Sequence, residues 1–176
     1  HGFRYAAVEG IENPRPEMFT ACVMHSDMRK TGEFHCSNEK VNQLQSNISW
    51  SLRDNFFDIP SDCPQRDERL GWMGDAQVFS WTAAFNRETA LFFTKWMRDV
   101  SAASSLERGV PHIVPDIQET YSSAAWSDAA VIIPWVVYQT YGDTRILEES
   151  WKCMHEWVDY IHNHVNENGL WMTNYQ

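Results

Sequence analysis

The sequence predicts a mainly helical chain folded as part of an α/α toroid, in which an inner ring of helices is wrapped by an outer one. Three observations carry this. The apolar spacing changes near residue 37 from alternation to a helical period. The helices that follow are joined by short links. One of them is apolar nearly all round, whereas its neighbour is apolar on one face only. A simple helical bundle is the alternative.

Residues 1–36 read as extended: Phe3, Tyr5 and Ala7 alternate with Arg4 and Ala6, Phe19 to Val23 is β-prone, and Gly2, Gly10, Pro14 and Pro16 punctuate. They are taken as the last strands of a preceding β domain with its linker, so the helical domain is set at 37–176. Ser37 is the expected N-cap of a first helix to about residue 55, with Val41, Leu44, Ile48 and Leu52 as its apolar positions. A second helix runs from Asp75 to about Phe85 and a third from about Arg87 to Val100, forming a hairpin. Asp128 to Tyr141 is apolar nearly all round and is therefore an inner helix, with Gly142 as its stop. Residues 145–165 set Ile146, Trp151, Met154, Val158, Ile161 and Val165 against Glu148, Glu149, Lys152, Asp159 and Asn163, the pattern of an outer helix with one wet face. Trp50, Trp81, Trp96, Trp151 and Trp157 fall inside helical patterns and are expected in the core. The chain begins at His1 and ends in an aromatic run, Leu170 to Gln176, and reads as an excerpt of a longer protein.

Composition narrows the function. A net charge of −10 opposes nucleic acid, since phosphate contacts need concentrated Lys and Arg. The longest apolar run, Ala129 to Tyr138, is interrupted by Pro134 and falls short of the roughly 20 residues that span a bilayer. Cys22, Cys36, Cys63 and Cys153 form no CxxC pair and no metal-ligand spacing, and His155, His162 and His164 do not share a helix face, so neither metal nor cofactor is expected.

Two long non-helical stretches, 56–74 and 102–125, are candidates for function. The first holds the chemistry. Residues 58–75 read Asp-Ile-Pro-Ser-Asp-Cys-Pro-Gln-Arg-Asp-Glu-Arg-Leu-Gly-Trp-Met-Gly-Asp, placing Asp58, Asp62, Asp67, Glu68 and Asp75 together with only Arg66 and Arg69 to relieve them. Pro60, Pro64, Gly71 and Gly74 prevent a continuous helix. Crowded carboxylates repel one another and raise the pKa of at least one member, which suits a general acid near neutral pH. The competing readings are a solvated acidic loop and a salt-bridge cluster in which Arg66 and Arg69 fix the turn. A calcium loop is weaker, because the EF-hand spacing is absent and two arginines oppose a cation.

This loop string resembles the signature of bacterial and fungal α-L-rhamnosidases, supported by His1-Gly2-Phe3-Arg4-Tyr5 and by Trp126-Ser127-Asp128-Ala129-Ala130 through Pro134-Trp135. The resemblance implies a β-sandwich followed by an (α/α)6 barrel, and hydrolysis of terminal α-L-rhamnosides with inversion. It makes Glu68 the general acid and lines the rhamnose subsite with Asp62, Arg66, Trp72 and Asp75, with Trp126 as an aromatic wall. Asp67 is expected to pair with an arginine, and Met73 departs from a smaller polar residue common at that place. The general base is implied beyond residue 176; Asp116, Glu119 and Asp128 are the candidates within the chain, and Asp128 also reads as a helix cap. His112 lies in the second loop, where it could reach substrate, and a structural or surface role is the favoured reading. Against the twelve helices of a closed barrel, the chain supplies about five, leaving Val131, Ile132, Trp135 and Val136 to face outward. Another α/α-barrel glycosidase and a non-catalytic sugar-binding module are the alternatives; burial of Glu68 in an ion pair with Arg66 or Arg69 would favour the second.

Overall fold

A computed structural model describes residues 2–171; His1 and residues 172–176, both used in the sequence reading, lie outside it. Five helices carry the fold: α1 (Glu39–Asn55), α2 (Met73–Asn86), α3 (Ala90–Ala103), α4 (Ala129–Tyr141) and α5 (Arg145–His164). A two-residue pair of strands, β1 (Phe56–Phe57) and β2 (Ile59–Pro60), follows α1. None of the helices among the described residues is long and apolar enough to cross a membrane.

The expected inner and outer helices form. α4 packs against α2, α3 and α5, and α3 against α5. Residues 87–89 link α2 to α3 and residues 142–144 link α4 to α5; α4 and α5 pack against each other as a hairpin, whereas α2 packs on α4 rather than on α3. Gly142 ends α4 in the left-handed conformation, φ 67°, and donates its N–H to the Tyr138 carbonyl at 2.8 Å. The core gathers Phe93, Trp96, Met97 and Val100 of α3, Ala83 of α2, Ile133 and Val137 of α4, and Ile146 and Trp157 of α5. Large buried side chains of this kind contribute about 1.5 to 3 kcal/mol each, which sets α3 and α4 as the rigid base on which the loops rest.

The structure corrects four expectations. No strand forms over residues 2–36; a short 3-10 turn at Pro16–Met18 and one bridge, Lys30 to Arg87, are the regular features there, because extended backbone becomes a strand only where a neighbour completes a ladder. Asn38, not Ser37, caps α1, its side chain accepting the Lys40 N–H at 3.0 Å. Val136 of α4 is fully buried, whereas Trp135 is half exposed and Val131 and Ile132 are partly buried. Trp96 and Trp157 are core, but Trp50, Trp81 and Trp151 are 47%, 53% and 63% exposed. Helical periodicity identifies an apolar face; only a neighbouring element covers it.

Candidate active site

The two long loops that interrupt the helical pattern lie against each other. Trp72 and Ile113 form an antiparallel bridge, flanked by Met73 N–H to the His112 carbonyl at 2.8 Å and Val114 N–H to the Gly71 carbonyl at 2.9 Å. Glycine is required at 71, since a Cβ there would collide with the Val114 carbonyl oxygen. The Met73 bond also occupies one of the N–H groups that a helix start leaves unpaired.

Asp62 closes the acidic loop on itself. Its N–H donates to the Leu70 carbonyl at 3.0 Å and one carboxylate oxygen accepts the Leu70 N–H at 2.9 Å, so residues 63–69 project as a tip. At that tip Arg66 pairs with Glu68 through two nitrogens, at 2.6 and 2.7 Å, and approaches the other Asp62 oxygen at 3.8 Å. The Glu68 side chain is 41% exposed, whereas that of Asp62 is 6% exposed. Asp67 pairs with Arg69 at 3.4 Å, as its side of the loop suggests. Asp58 lies apart, bound to Lys95 at 3.0 Å. The salt-bridge reading of the loop is therefore realised, through pairs whose members other than Asp62 are open to solvent.

Below the tip lies an open cavity of about 480 Å³, within the range that takes a small ligand. Asp62, Asp75, Gly74 and Trp126 share its lining with Asn55 and Gln77. Glu68, Arg66 and Trp72 do not line it, but the Glu68 carboxylate is within 4.8 Å of that of Asp62, which does. Asp62, Cys63 and Glu68 have metal-ligand atoms that close to one another, with the Arg66 guanidinium against two of them supplying the positive charge. The Trp72 ring nitrogen is buried without a hydrogen-bond partner. Met73 is fully buried, so its departure from a polar residue falls in the core.

The Asp75 carboxyl is pushed above the ordinary aspartate range. Partial burial raises it first, and the Asp62 and Glu68 carboxylates raise it further.

Trp126 is 40% exposed and packs on Gly74, where a Cβ would stand 3.1 Å from the indole nitrogen. Asp128 makes no capping bond to its own helix; one oxygen accepts the Ala125 N–H at 2.7 Å and the other the Trp157 indole N–H at 3.0 Å. Asp116 accepts both the N–H and hydroxyl of Thr120 and pairs with Arg108 at 3.3 Å. Both carboxylates are thus committed to structure, while Glu119 is exposed at φ 51°.

The model of the bacterial alpha-L-rhamnosidase 6 hairpin glycosidase domain matches residues 29–176, most of the chain. The chain belongs to this family. An alpha-L-rhamnosidase of Formosa agariphila is 43% identical over 99% of this chain and 20% of its own length. Among solved structures, the Streptomyces avermitilis alpha-L-rhamnosidase complexed with L-rhamnose aligns with a TM-score of 0.78 at 39% identity, covering 81% of this chain and 14% of that one. The native enzyme of Aspergillus terreus aligns with a TM-score of 0.78 at 44% identity, over 84% and 17%. This rhamnosidase-family chain therefore spans a fifth or less of the length of these relatives. The α4–α5 hairpin falls within the residues matched to this 6 hairpin domain.

The residues that sequence reasoning undervalued are Gly74, Asp128 and His112. Gly74 is legible only as a helix breaker, although its bare Cα makes room for the Trp126 ring. His112 stands in a run of prolines and valines that gives no sign of which way its ring points.

Proposed function

We propose that this chain supplies the general acid and part of the sugar-binding wall of an inverting α-L-rhamnosidase. The observation that carries the proposal is the position of the Glu68 carboxylate, within 4.8 Å of Asp62, which lines a cavity together with Asp75 and Trp126. In this reading residues 37–176 are the first half of the catalytic barrel and residues 1–36 the end of a preceding β domain. The substrate is a terminal α-L-rhamnoside; the L-rhamnose bound by the Streptomyces relative supports that sugar.

Glu68 donates its proton to the glycosidic oxygen as the bond to the anomeric carbon breaks. A second carboxylate, contributed from outside this chain and roughly 6.5 to 9.5 Å from the first, takes a proton from the attacking water. The products are β-L-rhamnose and the free alcohol. Asp62 and Asp75 accept hydrogen bonds from sugar hydroxyls, Arg66 donates one, and Trp72 and Trp126 pack on apolar sugar faces.

The Arg66–Glu68 pair favours a second reading, a sugar-binding module without catalysis. The exposure of that pair argues against it, because water screens a surface ion pair and lets it open when Arg66 turns to a sugar hydroxyl. The test is Glu68→Gln in the full-length enzyme. Turnover is expected to fall by about 10² to 10⁴ with rhamnose binding retained, and proton NMR of the parent reaction should show the β anomer first. Near-normal turnover of Glu68→Gln on a substrate with a poor leaving group rules the assignment out.

A further inference from the structure

His112 joins the parts of the site that the reaction needs held together. Its carbonyl accepts the N–H of Met73, the first residue of α2, and its own N–H donates to the Thr120 hydroxyl at 3.0 Å. Its ring turns the other way. Nε2 lies 2.7 Å from the Ser123 hydroxyl, and the imidazole centroid is 5.8 Å from that of Trp126.

Ser123 opens the turn that presents Trp126. Its N–H donates to the Ser127 hydroxyl at 3.1 Å, its carbonyl accepts the Ser127 N–H at 3.0 Å, and the Ser127 hydroxyl reaches the Val110 carbonyl at 2.6 Å. Within that turn Ala125 holds φ 70°, a conformation that costs a residue with a side chain and persists only where neighbours impose it. Trp126 has Gly74 on its α2 side and His112 beside it. Burial lowers the imidazole's affinity for a proton, against a smaller opposing pull from Asp116.

We propose that His112 is a positioning residue that sets sugar affinity by fixing Trp126 in the wall of the cavity. It acts through Trp126 and touches no reacting atom; the proposal rests on the rhamnosidase reading above. An aromatic wall held in place contributes to binding of substrate and transition state alike, so its loss moves KM more than kcat.

The test uses the full-length enzyme and an aryl α-L-rhamnoside. His112→Ala is expected to raise KM up to about ten-fold, the scale of one aromatic contact, with kcat within about two-fold of the parent. His112→Gln, whose amide reaches Ser123, should recover most of the lost affinity. In a Trp126→Ala background, His112→Ala should add nothing to KM, since residues acting as one unit are not additive. Ser123→Ala, which keeps the imidazole and removes its anchor, should raise KM in the same direction and serves if His112→Ala does not fold. Additive effects of His112→Ala and Trp126→Ala overturn the proposal, as does a parent-like KM in Ser123→Ala. Glu68→Gln in the same preparation separates the two readings. Lost turnover there with additive His112 and Trp126 effects removes only the positioning role; retained turnover with coupled effects removes only the acid.

Discussion

Trp157 of α5 donates its indole N–H to the Asp128 carboxylate at 3.0 Å, and the other oxygen of that carboxylate accepts the Ala125 N–H at 2.7 Å. One side chain thus ties an outer helix to the turn that presents Trp126. Asp128→Ala leaves the buried indole N–H and the Ala125 N–H without an acceptor, at a cost of about 1 to 3 kcal/mol. A fall in the midpoint of urea unfolding at unchanged slope would measure it; an unchanged midpoint would show that the bonds contribute nothing net.

Gly74 of α2 lies against the Trp126 ring. Its substitution by alanine places a Cβ 3.1 to 3.2 Å from three indole atoms, so the ring gives way by a few tenths of an ångström. Gly74→Ala in the full-length enzyme is expected to raise KM for rhamnosides by about ten-fold, the effect of misplacing a sugar-contacting group. The helix itself should gain slightly, since alanine favours helix over glycine by about 1 kcal/mol. Affinity lost without stability lost is the signature to look for.

Asp75 binds its proton more tightly in the folded chain than an ordinary aspartate does, through burial and the nearby Asp62 and Glu68. Between the ordinary value and the raised one, the folded state therefore carries more protons than the unfolded state. Stability from this group falls as pH rises through that window and stays lower above it. Asp75→Asn removes the penalty. Its stability relative to the parent should improve as pH rises from the ordinary aspartate value through the raised one, read as the difference in unfolding midpoints, even as rhamnose affinity drops. A constant difference across that range would contradict the assignment.

Several large apolar side chains face outward: Val78 at 80%, Trp81 at 53% and Phe85 at 55% exposure on α2, Leu91 at 82% on α3 and Trp151 at 63% on α5. Monomeric domains seldom leave such groups uncovered. Expressed alone, the 176-residue chain is expected to self-associate, and light scattering or sedimentation should return a mass above 20.5 kDa. A monodisperse monomer at high concentration would show that these faces are tolerated in water.

The sequence by itself determined the helices, their inner and outer characters, and which loop holds the carboxylates. Helical period, a stop glycine and chain-breaking prolines act through nearest neighbours, so Ala129–Tyr141 and Arg145–His164 are legible from spacing alone. The cluster of Asp62, Arg66, Glu68 and Asp75 is legible for the same reason, being local in the chain. What only the tertiary structure decided is longer in range. Whether an apolar face is covered depends on a distant element, which is why Trp96 is buried and Trp151 is not. The pairing of Trp72 with Ile113 brings the second loop under the first, and from it follow the contacts of His112 and Gly74 with Trp126. The direction of the pKa effect was likewise set in space. Crowding in sequence requires some carboxyl to rise; burial and distance assign that rise to Asp75.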